Sequence, residues 1–259
     1  MSGNRAIGAV GILNYGAELT RIDSTVSGNT AAASAGGVRN NGALTLFNST
    51  VSENAAGSEG ESEGGGGLEI QGPTRIIGST ISGNAATNGT GGGIFQCGAT
   101  LTITNSTVSG NSDGLDGGRI FVLCGNPQTT LTNVTLARNT AGFTGSTISQ
   151  LDPQEGTVTV ANSLVEGRCR GVPFSGGGNL ESPGDSCGFN QSTDQVNITA
   201  DDLALGPLQE NGGPTMTHAG EADGPQVRIS GRTARPQTPG PARRTGFQIR
   251  FASSEPRHT

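Results

Sequence analysis

The chain contains no Trp and a single Tyr, and only 14% of its 259 residues are charged. Globular domains carry about 25% charged residues, so neither a large aromatic core nor an ion-pair-rich surface builds this protein. No stretch reaches the roughly 18 apolar residues of a membrane-spanning helix, which excludes membrane insertion by a helix of this chain. No window keeps helical periodicity over three turns, and no signal peptide is visible. Cys-x-x-Cys is absent, and the two histidines, His218 and His258, do not make a metal cluster. No cofactor is expected. All 15 basic residues are Arg, which reads as GC-rich coding bias more than as chemistry.

Charge is unevenly spread. Residues 1–219 hold 8 Arg against 18 acidic residues, a net of −10, whereas 220–259 hold 7 against 3, a net of +4. The acidic body argues against nucleic acid and anionic membrane as partners. The basic tail lacks interleaved aromatics, which weakens its reading as an anion-binding arm.

Glycine is what the chain has in excess, 45 of 259 residues, against a usual share of about 7%. It recurs in phase with a phrase. Asp23-Ser24-Thr25-Val26-Ser27-Gly28-Asn29 returns at 48–54, 78–84 and 105–111, with weaker copies at 133–139 and 162–168. The closing positions 4, 29, 54, 84, 111, 139 and 168 are separated by 25, 25, 30, 27, 28 and 29 residues. Such a period is the signature of a stacked solenoid, and disorder does not keep phase over six repeats.

Within each repeat the apolar residues alternate. Leu44, Leu46 and Val51 occupy the places that Leu101, Ile103 and Val108 occupy two repeats on, which predicts two short strands with inward apolar side chains. A third strand is predicted around Val38, Leu68, Ile94, Ile120 and Ile148, after the glycine clusters. Three strands per turn, stacked in register, describe an all-β right-handed parallel β-helix of about six coils, roughly 30 Å long at ~4.8 Å per coil. Asn29, Asn54, Asn84, Asn111 and Asn139 are expected to form a corner ladder of side-chain amides. Arg21 sits at an inward position, so either the register slips there or that end of the rod is poorly formed.

Three regions follow: β-helix repeats over 1–168, a loop-rich part over 169–219, and an Arg/Pro-rich tail over 220–259 that reads as a disordered linker or a frameshift. Ser2-Gly3-Asn4 matches the closing corner of a repeat, so the chain is expected to be an internal piece of a longer reading frame.

Gly91-Gly92-Gly93-Ile94, the 101–111 repeat and Leu205-Gly206-Pro207-Leu208-Gln209-Glu210-Asn211-Gly212-Gly213-Pro214-Thr215-Met216-Thr217-His218-Ala219 together resemble the bacterial "choice-of-anchor Q" proteins. The resemblance covers roughly residues 2–219 and implies a pectin-lyase-like β-helix, secreted and held at the cell surface. Where that family continues with a Gly-Ser-Pro-Ala-Ile-Asp phrase, this chain reads Gly220-Glu221-Ala222-Asp223, and no anchor is visible.

Chemistry-bearing candidates are few. Cys97 and Cys124 lie one coil apart, as a disulfide or as two stacked free thiols. Cys169 and Cys187 flank a Gly/Pro-rich interval and are expected to be bridged, consistent with an oxidising compartment. Asp113 and Asp116 beside Arg119, and the Glu59, Glu61, Glu63 run, are weak candidates for Ca²⁺ or for paired-carboxylate chemistry, and both read first as solvated loops. The sequence predicts an extracellular or cell-surface structural or adhesive module whose partner is a polysaccharide or surface glycan. A polysaccharide lyase or glycoside hydrolase on the same fold, or a fragment without its own function, are the alternatives.

Overall fold

A computed structural model describes residues 1–8, 11–32, 34–57, 64–115, 120–142, 146–150 and 156–220. The candidates Glu59, Glu61, Glu63, Asp116 and Arg119 lie outside the described residues, as does the basic tail from residue 221 on. The described chain is a parallel β-helix with three faces. A broad face gathers 12 strands, a third face seven and a short face five.

One coil shows the path. Val38–Asn40 lies on the third face, Ala43–Phe47 and Thr50–Ser52 form the two halves of the broad face, and Ala55–Ala56 lies on the short face. Leu68–Ile70 then returns to the third face in register with Val38–Asn40. Four coils carry strands on all three faces, and the bridge between Ser112 and Thr140 completes a fifth.

Backbone conformation explains the repeated phrase. Its first residue turns the chain between the halves of the broad face with positive φ: Asn48 at 48°, Gly78 at 59°, Asn105 at 50°, Asn133 at 56° and Asn162 at 48°. Asn and Gly tolerate this left-handed region better than other residues. Glycine is demanded for a second reason where coils meet. A Cβ on Gly66 would run into the backbone of Gly92 and Ala85, and one on Gly67 would lie 2.7 Å from the Gly93 carbonyl oxygen.

Inside, equivalent residues stack into columns. Val26, Val51, Ile81, Val108, Leu136 and Val165 form one, and Leu46, Ile76, Ile103, Leu131 and Val160 another, all buried. Arg21 stays in register with Leu46, half-buried beside this column, so no slip occurs. The stack continues beyond residue 168 through Arg168–Arg170, Phe174–Ser175 and Leu180–Ser182.

In the middle coils the outward residues of the third face, Glu69, Phe95, Phe121 and Ser149, are buried as well. Glu69 is held by Arg39 at 3.3 Å and by the Ser34 hydroxyl at 2.7 Å. Phe95 and Phe121 stack with ring centroids 5.7 Å apart. Gly91 passes so close over this strand that a Cβ there would sit 2.9 Å from the Phe95 Cα.

Candidate functional site

The expected corner ladder has a defined hydrogen-bond plan. The side-chain oxygen of each Asn accepts from both the backbone N–H and the side-chain amide of the preceding coil's Asn, from Asn29 through Asn54, Asn84 and Asn111 to Asn139. The same amides also donate to inward backbone carbonyls, for example Asn84 to Val51 at 3.0 Å. Four of these residues are fully buried, so the ladder belongs to the scaffold and presents nothing to a ligand.

Both cysteine pairs are joined: Cys97 to Cys124 with Cα atoms 5.0 Å apart, and Cys169 to Cys187 at 4.8 Å. Asp113 falls on the short face in register with Ala86, a buried inward position. Among the described residues no group of three or more His, Cys, Asp or Glu could hold a metal.

What the fold does present is threonine. Alternation on the first half of the broad face turns Thr20, Thr45, Arg75, Thr102, Thr130 and Thr159 outward in one column. Thr100, Gln128 and Thr157 flank it on one side, and Thr104 and Thr132 on the other. All are exposed or half-buried. Parallel pairing fixes the spacing at about 4.8 Å across strands and about 6.6 Å along them. The result is a grid made mainly of methyl and hydroxyl groups, interrupted by Arg75 and, in the first coil, by exposed Glu18. Toward the first coil it passes into exposed Ile22 and Phe47. Such a surface offers many weak donors and acceptors at regular intervals.

A family model for the right-handed β-helix region matches residues 8–187. The chain belongs to that family. No curated protein and no solved structure gives a significant match. In this β-helix, two features escaped sequence reasoning. A serine ladder lies at the bend, where Ser24, Ser49 and Ser79 donate their N–H groups to the hydroxyls of Ser49, Ser79 and Ser106. The Ser-Thr pair of every strong repeat was its signal. The other is His218, which a lone histidine in a loop-rich segment could not announce; it is buried against Ser109.

Proposed function

We propose that this β-helix is an extracellular module that binds the extended chains of a polysaccharide along the threonine face of its broad sheet. The observation that carries this reading is the exposed column of Thr20, Thr45, Thr102, Thr130 and Thr159, whose regular spacing suits repeated weak contacts to a polymer. Two disulfides, Cys97–Cys124 and Cys169–Cys187, support an oxidising compartment, as does the resemblance to choice-of-anchor surface proteins. Because a fold alone does not fix a function, the test must read binding and chemistry separately.

Insoluble neutral and acidic polysaccharides are incubated with the full chain, and both retained protein and newly formed chain ends are measured. Retention without cleavage is expected. A Thr102→Glu, Thr130→Glu pair should cut retention at least about tenfold, since it removes adjacent contacts from a multivalent array. Release of shortened or unsaturated sugars would favour a lyase or hydrolase instead.

A further inference from the structure

The row next to the threonine face changes character along the rod. On the second half of the broad face, Thr25, Thr50, Thr80, Thr107 and Thr135 form one outward column, and Ser27, Ser52, Ser82 and Ser109 another. The first two coils leave these side chains exposed or half-buried. In the next coils Thr80, Ser82, Thr107, Ser109 and Thr135 are all buried, although they point away from the core.

Their cover is the chain's own antiparallel hairpin, Leu205–Gln209 with Thr217–Gly220. The Thr80 hydroxyl donates to the Met216 carbonyl at 2.6 Å, and the Thr215 hydroxyl donates to the Gly78 carbonyl at 3.1 Å. Arg138 donates to the Leu205 carbonyl at 2.7 Å. Between these points stands His218, with Nε2 2.7 Å from the Ser109 hydroxyl and Nδ1 2.7 Å from the Gly206 carbonyl oxygen. A carbonyl only accepts, so Nδ1 carries the proton and Nε2 accepts from Ser109. The base of the hairpin is anchored separately, where Leu203 packs with Leu164 and Leu180.

We propose that the hairpin 205–220 is a detachable cover, latched by His218 against Ser109, over a second polymer-binding row of the rod, and that acid releases it. Protonation would make both ring nitrogens donors, so the Ser109 hydroxyl would have to give up donating and turn to accept. It would also place a cation where the side chain is 4% exposed. Burial is the largest influence and lowers the pKa of His218 below 6.5; the Gly206 carbonyl raises it, Arg138 lowers it and Glu166 raises it. Arg138 and Glu166 are the charged groups acting on the ring. Because the docked pKa is depressed, the docked state binds fewer protons. Docking is therefore strongest above 6.5 and weakens as pH falls through it. One histidine can shift the equilibrium by at most about thirtyfold between pH 7.5 and 5.

What the uncovered row binds rests on the proposed function; the release itself does not. Hydrogen exchange of the full chain at both pH values, corrected for intrinsic rates, tests the latch. Protection across 205–220 should fall severalfold, up to about thirtyfold, while Ile81 and Val108 keep theirs. His218→Gln retains a donor and an acceptor but cannot titrate, and should abolish the difference. Ser109→Ala, on the outer surface of its strand, should loosen the hairpin at both pH values. Equal protection at both pH values in the native chain overturns the latch, as does parallel loss in the rod strands or pH dependence that survives in His218→Gln. Polysaccharide retention is read in parallel. A rise in acid that His218→Gln lacks supports the second row, and release with unchanged retention overturns it. Release without any retention at either pH supports the latch and overturns the proposed function alone.

Discussion

Asn84 donates its side-chain amide to the side-chain oxygen of Asn111 at 2.9 Å, in a corner where both residues have no solvent exposure. The same Asn84 oxygen accepts from the backbone N–H and the amide of Asn54. Asn84→Ala therefore orphans several buried polar groups at once. It should lower unfolding free energy by about 3 kcal/mol, against at most about 1 for Asn4→Ala at the exposed end of the ladder, measured by urea titration. Equal effects at the two positions would show that the ladder does not stabilise the stack.

Glycine at the coil contacts gives a second expectation. Gly66→Ala puts a methyl group into the backbone of Gly92 and Ala85, which cannot withdraw without parting two coils. A loss of about 3 kcal/mol or more is expected. Gly3→Ala, whose Cβ would meet nothing within 4 Å, is a useful contrast although its φ of +69° carries its own strain. It should cost only about 1 kcal/mol, the ordinary penalty of a left-handed Ala.

Core columns lend themselves to truncation. Ile81 is fully buried between Val51 and Val108, so Ile81→Ala should cost about 3 to 4 kcal/mol by lost burial and cavity formation. Thermal or urea unfolding measures it.

Reduction should separate stability from binding. Cys169 and Cys187 close an interval of 18 residues, and chain entropy assigns such a bridge about 3 kcal/mol. The Cys169→Ala, Cys187→Ala pair should unfold at correspondingly lower urea, yet retain its polysaccharide binding at low temperature. Lost binding in a still-folded variant would place the ligand at the C-terminal coil instead of on the threonine face.

The repeat was legible because each coil imposes the same local demands. The bend needs positive φ, and Asn48, Gly78 and Asn105 supply it; the core column needs an aliphatic, and Val51, Ile81 and Val108 supply that. A period of two marks inward and outward positions, so the threonine column could be read from Leu101-Thr102-Ile103-Thr104 once strands were recognised. Contacts outside the period were not legible. Thr80 and Met216 are 136 residues apart, and no repeated spacing links them.

The sequence by itself determined the solenoid, its strands and its corner residues, since periodic local preferences agree with nearest-neighbour stacking. Only the tertiary structure decided which outward hydroxyls meet water. Thr50 and Thr80 occupy the same place in their repeats, and the hairpin buries one while leaving the other half-buried. That difference comes from a non-periodic segment folding back along the rod, and its docking depends on hydrogen bonds such as His218 to Ser109 that join parts of the chain unrelated by the repeat.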